Sequence, residues 1–278
     1  MRRLAVALLM NVGIVLLEVL FGVLSGSLSL IADALHNLQD VAVLGISMVA
    51  KSVMGRGATP TKTYGYRRAE ALAAFINSLL LMGALAYLSY EAVISLVRPR
   101  EVVATTVILM GWLAFLVNFL SAHLLHREED LNLRSAHLHL LGDATFSLAV
   151  AVGGILMWST GWRWVDALLV LAFVPYLLWE GFKVLRDATG ILMEFAPRGY
   201  TSDLVRGVLL SAEGVRDAHD IHVWSLSSDE ILVSAHLIVE GDARDTLRRV
   251  EGMLREMGIH HITLQLEGEG YTCSARCD

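Results

Sequence analysis

Cysteine is nearly absent from this chain of 278 residues, with Cys273 and Cys277 at its very end as the only two. A disulfide framework for the fold is thereby excluded. Proline is scarce too, at four residues, so long helices meet few breakers. There is no excess of positive charge: 22 Lys and Arg stand against 28 Asp and Glu, and nothing basic suggests a nucleic-acid partner. The chain also has no internal repeat, no low-complexity segment and no His-Glu-x-x-His. That motif would supply a hydrolytic metal centre with its general base, and without it an enzyme is not expected.

What the chain has in abundance is apolar sequence. Fifty-five per cent of its residues are hydrophobic, and the mean hydropathy is +0.57, values that belong to the membrane class. A membrane helix needs about 20 mostly apolar residues. Six such runs are present, near 4–25, 29–52, 69–97, 103–126, 132–159 and 163–187. The opening "MRRLAVALLMNVGIVLL" is similar to a signal peptide, but no small-x-small cleavage site follows, and a retained first helix is expected. With a cytoplasmic N-terminus, the segments assigned to the inside hold eleven Lys and Arg, and the outer loops only Arg98, Arg100 and Arg163. This bias places both termini in the cytoplasm.

A break near Ala196-Pro197 divides residues 1–194, a membrane domain, from residues 195–278, a smaller soluble one. Charge marks the same boundary. Lys and Arg balance Asp and Glu up to Glu194, and the whole net charge of −6 falls beyond it. In the second part, "TSDLVRGVLLSAEG" predicts an amphipathic helix capped by Ser202 or Asp203. "DAHDIHVWSLSSDEILVSAHLIVE" predicts a hairpin turning at residues 227–230, "DARDTLRRVEGMLREMG" a second helix and "HHITLQLEGE" a third strand. Helix–strand–strand–helix–strand is a small α+β unit.

Within the apolar runs, ionisable residues stand out. His36 and Asp40 are four apart in the second run, hence on one helix face roughly 6 Å from each other. The fifth run repeats the spacing with His139 and Asp143. The two spans run in opposite directions, so side by side they set His36 level with Asp143 and Asp40 level with His139. Two imidazoles and two carboxylates form the tetrahedral set that zinc prefers. Two ionised Asp and two neutral His carry two negative charges, which a divalent ion cancels. Protons compete for the same groups, as metal/proton exchange requires. A lone polar residue in a span is often only a helix–helix hydrogen bond, whereas matched pairs of ligand-type residues point to function. Asp33 lies near the same face as a supporting or outer-mouth residue. Glu18, Asn11, Asn77, Glu91 and Asn118 read as packing hydrogen bonds or cavity linings. Asp166 reads as the acidic first turn of the sixth helix, and His137 as a solvated helix end.

The chain resembles the cation diffusion facilitator family. The resemblance covers nearly its whole length and rests on "SGSLSLIADALHNLQD" (25–40), "YGYRRAEALAAFIN" (64–77), "SAHLHLLGDA" (135–144) and "HDIHVWSLSSDEILVSAHL" (219–237). It implies a homodimeric divalent-metal/proton antiporter that exports zinc by alternating access, of the bacterial zinc-exporter type. Six transmembrane helices would sit in the cell's inner membrane and carry a cytoplasmic, ferredoxin-like (metallochaperone-like) C-terminal domain. The implied transport site is His36, Asp40, His139 and Asp143. In the soluble part the resemblance implies one bound ion at His219, His236 and Glu267 and a second at His260, with the Cys273/Cys277 tail folding back to it. His260 and Glu267 are seven residues apart on one strand, about 23 Å, too far to share an ion. His222 and His261 read as structural, with His222 packed beneath the domain. The His-rich loop and the His-Cys-His motif of some members are absent. Two rival readings remain open here. One is a membrane-anchored metal sensor; the other is cadmium, cobalt or iron as the main substrate.

Overall fold

A computed structural model describes residues 2–54, 57–125 and 131–268. Six long helices come first: α1 (Arg2–Ser25), α2 (Leu28–Met54), α3 (Ala69–Val97), α4 (Ala104–Leu125), α5 (Leu131–Thr160) and α6 (Trp164–Leu192). Four helical stretches among the described residues are long and apolar enough to cross a membrane: Ala69–Val97, Ala104–Leu124, His137–Thr160 and Trp164–Leu192. Four of the six expected spans are thus met among the described residues. α1 contributes the shorter apolar stretch Leu9–Ser25. α2 is 27 residues long and carries Asp33, His36, Asn37 and Gln39, all buried.

The chain divides into two compact units, Met1–Met48 with Ile76–Val184, and Val49–Phe75 with Leu185–Asp278. In the first, a small apolar cluster around Ala122 and Leu140 and two larger ones hold the helices together among the described residues. One joins Leu28 and Ala32 of α2 to Leu85 and Leu88 of α3 and to Val170 and Leu177 of α6. Ile14, Leu30, Val107, Met110, Phe146 and Val150 form the other. Outward-facing Leu20, Val23, Leu80, Leu109 and Trp158 are exposed, as lipid-facing side chains are. Trp162 and Trp164 stack at the turn between α5 and α6, centroids 5.6 Å apart, in the manner of interfacial aromatics.

Two contacts set the helix geometry. A Cβ at Gly111 of α4 would stand 2.7 Å from the Ala151 backbone nitrogen of α5, and one at Gly154 of α5 would stand 3.0 Å from that of Ile108. Glycine at these two levels lets the antiparallel backbones touch, a common membrane-helix device. The second contact involves Asp166. It occupies the first turn of α6, as expected, but its carboxylate also caps α2. It accepts from the Ser27 hydroxyl (2.7 Å), the Leu28 amide (2.7 Å), and the Ser29 hydroxyl (2.6 Å) and amide (3.3 Å). The group is 2% exposed, so these donors satisfy a buried charge and the charge in turn offsets the α2 dipole.

In the second unit α7 (Ser202–Ser211), β1 (Val215–Ser227), β2 (Glu230–Val239), α8 (Ala243–Glu256) and β3 (His261–Glu267) follow in the expected order. The sheet is mixed, in the order β1-β2-β3, with β1 antiparallel and β3 parallel to β2. The parallel pairing needs a crossover, and α8 supplies it. Val205, Leu209, Val233, Leu237, Val250 and Leu254 fill the core between helices and sheet. α7 is capped one residue earlier than expected: Thr201, in extended backbone, accepts from the Leu204 amide. The Ser202 and Asp203 assignments shift accordingly, since a cap must precede the first helical residue. Asp242 caps α8 through the Arg244 and Asp245 amides. Arg67 pairs with Glu230, and Arg68 with Glu194 at 2.5 Å.

Candidate metal centres

The membrane cluster is built on α2 and α5. His36 Nε2 stands 2.9 Å from Asp143 Oδ1, and both side chains are about 5% exposed or less. His139, one turn before Asp143, places Nε2 3.9 Å from Asp143 Oδ2, with 44% of its side chain exposed. The imidazoles of His36 and His139 meet edge to face at 5.5 Å, and Phe173 of α6 closes on His36 at 5.9 Å. Ligand atoms of His36, His139 and Asp143 all lie within 4.8 Å of one another. Bonds of about 2.0 Å to a tetrahedral ion put ligand atoms roughly 3.3 Å apart, so small movements would suffice to seat one. Asp40 lies one turn beyond His36 on α2; its side chain, and with it the expected pairing with His139, is outside the described residues.

Polar neighbours brace this cluster. Ser147, one turn beyond Asp143, donates to Asp33 Oδ2 at 2.9 Å, and Asn118 of α4 donates to Ser147 at 3.4 Å. Asn37, beside His36, donates to Glu18 of α1 at 3.1 Å and to Asp33 at 3.5 Å. All five residues are buried. Asp33 therefore belongs to a network tying four helices, beside the ligand group. Ser147 escaped the sequence reading, although it sits four residues past Asp143 on the same face. His137 Nδ1 meets the Ala122 carbonyl oxygen at 2.8 Å and is half-buried against α4, where a solvated end was expected.

The second cluster is built on the sheet. β1 and β2 pair His219 with His236, and β2 and β3 pair His236 with Gln265, so residues far apart in sequence share one face. His219 Nε2 is 3.3 Å from Glu267 Oε2, and His236 Nδ1 is 2.9 Å from Glu267 Oε1. Gln265 donates to the same Oε1 at 3.0 Å. Glu267 is 3% exposed, and the three ligand atoms again fall within 4.8 Å of one another. Two imidazoles around a buried carboxylate suit a divalent ion of the zinc type. His260 precedes β3 and is exposed, apart from this group. Cys273 and Cys277 are outside the described residues. His222 does not pack beneath the domain. Its side chain is 65% exposed and its Nε2 lies 3.0 Å from Asp220 Oδ1, because a β-bulge shifts the simple strand alternation that the sequence suggests. His261 meets Tyr64 edge-on at 5.8 Å.

Comparison with known proteins accounts for both units. Residues 4–193 match the family model of the cation efflux transmembrane domain, and residues 197–269 that of the cation efflux protein cytoplasmic domain. A cadmium, cobalt and zinc/H(+)-K(+) antiporter of Bacillus subtilis (strain 168) is 32% identical over 278 residues, covering 96% of this chain and 89% of its own. The zinc transporter ZitB of Escherichia coli (strain K12) is 32% identical over 272 residues, covering 96% and 87%. The human proton-coupled zinc antiporter SLC30A2 is 31% identical over 283 residues, covering 95% and 74%. With both family models matched and relatives alike over nearly the full length, the chain is a membrane protein that belongs to the cation efflux, or cation diffusion facilitator, family of transporters.

Proposed function

We propose that this chain exports zinc from the cytoplasm in exchange for protons, as a homodimer working by alternating access. Its six long helices cross the inner membrane, with both termini cytoplasmic. Residues 1–194 form the transmembrane domain, and 195–278 a ferredoxin-like cytoplasmic one. His36, Asp40, His139 and Asp143 are the transport ligands. The observation that carries this reading is the His36–Asp143 contact, 2.9 Å between two buried side chains on different helices. An imidazole and a carboxylate buried among apolar helices are costly to insert and are retained where they serve an ion pathway. The expected competition between metal and protons for these groups supplies the coupling.

His219, His236 and Glu267 hold a second, resident ion in the cytoplasmic domain, and His260 with Cys273 and Cys277 a third. Such an ion neutralises an acidic surface and favours association of two copies, which biases the transporter toward one state. Relatives named for cadmium and cobalt favour a broader substrate range as the second reading. The test is zinc flux into proteoliposomes carrying a pH-sensitive dye, for the wild type and Asp143→Ala. Zinc movement with opposed proton movement, lost in the variant, is expected. Tight zinc binding with no flux under any gradient would leave a metal sensor instead, and faster flux of cadmium or cobalt would reassign the substrate.

A further inference from the structure

Asp220 adopts a φ of 49°, in the left-handed region that a non-glycine residue seldom occupies and Asp tolerates better than most. The register explains it. His219 pairs with His236 and His222 with Ser234, so three steps along β1 face two along β2, a one-residue bulge. In a regular strand neighbouring side chains point to opposite faces, which would turn Asp220 away from His219 and His236. The bulge re-aims it. Asp220 Oδ2 comes to 3.5 Å from His236 Nε2, while Oδ1 accepts from His222 Nε2 at 3.0 Å. The other ring nitrogen, His236 Nδ1, faces Glu267 Oε1 at 2.9 Å.

We propose that Asp220 is a positioning residue for the cytoplasmic metal centre: it accepts the N–H of His236 at Nε2 and so leaves the Nδ1 lone pair facing the ion. A neutral imidazole carries one N–H, and the nitrogen that carries it cannot bind metal. His236 lies between two carboxylates. If the proton sat on Nδ1, it would be donated to Glu267 and the ligand set would close on itself. Asp220 favours the opposite tautomer, as carboxylates behind metal-binding histidines do. His222 holds the second oxygen of Asp220 and fixes the carboxylate's direction, which gives this exposed histidine a role short of ligation. The inference rests on reading His219, His236 and Glu267 as ligands.

The test uses the full chain with His36→Ala and Asp143→Ala, so that the membrane cluster does not contribute. Zinc is titrated against a competing chelator, and cobalt(II) is bound in parallel for its visible spectrum. Glu267→Ala and His219→Ala are each expected to remove one zinc equivalent. Asp220→Gly keeps the left-handed backbone accessible and is expected to weaken that equivalent roughly 10–100-fold, with an altered cobalt spectrum. Asp220→Asn retains an acceptor oxygen and is expected to restore most of the affinity. Wild-type affinity in Asp220→Gly would overturn the inference while the ligand reading stood. An equal loss in Asp220→Asn would make Asp220 a charged ligand and overturn the positioning role. Unchanged stoichiometry in Glu267→Ala and His219→Ala would overturn the ligand reading itself.

Discussion

The same chemistry, two imidazoles and a carboxylate, is built twice among the described residues by different means. On α2 and α5 it comes from helix spacing: His139 and Asp143 are one turn apart, and His36 reaches Asp143 across the helix pair. On the sheet it comes from register: His219, His236 and Glu267 stand on three successive strands. The helical cluster is embedded in a buried polar network of carboxylates, amides and a hydroxyl, and the sheet cluster sits over an apolar core with partly exposed histidines. A cluster among sliding helices can be remade by a small shift. One fixed by backbone ladders keeps its geometry, which suits a resident ion better than a travelling one.

The comparison is broken most sharply by removing one carboxylate from each cluster. Asp143→Asn is expected to lower proteoliposome zinc flux by about 100-fold or more, since the buried carboxylate facing His36 is replaced by a neutral amide. Glu267→Gln is expected to weaken cytoplasmic zinc binding roughly 10–100-fold while flux at saturating zinc stays measurable, and equilibrium dialysis beside the flux assay separates the two. Asp166→Ala leaves buried hydroxyls and amides at the start of α2 without their acceptor, a cost of about 2–4 kcal/mol; a lower melting temperature in detergent checks it. Gly111→Val drives a side chain into the Ala151 backbone and is expected to cost about 1–3 kcal/mol, seen in the same melt. The smallest effect belongs to Arg67→Ala. Glu230 holds the guanidinium's pKa above its already high ordinary value, but the pair is partly exposed and screening leaves it less than about 1 kcal/mol.

The helical part is the more legible in sequence, for a physical reason. Helix contacts at the site are local, so the spacings of His36, Asp40, His139 and Asp143 can be read directly, as can long apolar runs such as Ala69–Val97. Antiparallel direction then sets His36 level with Asp143. Strand contacts are non-local. Nothing in "HDIHVW" announces the bulge that moves Asp220 toward His236 and turns His222 outward, because a bulge exists only relative to the partner strand. Asp166 is legible as the first turn of α6 but not as to its partners. Its bonds to Ser27, Leu28 and Ser29 join residues at sequence separations of 139, 138 and 137, and local spacing carries no trace of them. On α2 the candidate site residues Asp33 and His36 are also the ones that interrupt an apolar run, so they stand out in the sequence.

The touching backbones of α4 and α5 have a kinematic consequence. At Gly111 and Gly154 the glycines add no side chain of their own and the facing helix comes close at Ala151 and Ile108, so rolling one helix over the other would meet collision. They form a single beam, and His139 and Asp143 ride on it. α2 is fastened at its start to α6 through Asp166 and is not part of that glycine contact. The candidate ligands are therefore divided between the α4–α5 pair and α2, and a slight displacement of α2 against that pair would open the His36–Asp143 contact together with the Asp33–Ser147 hydrogen bond.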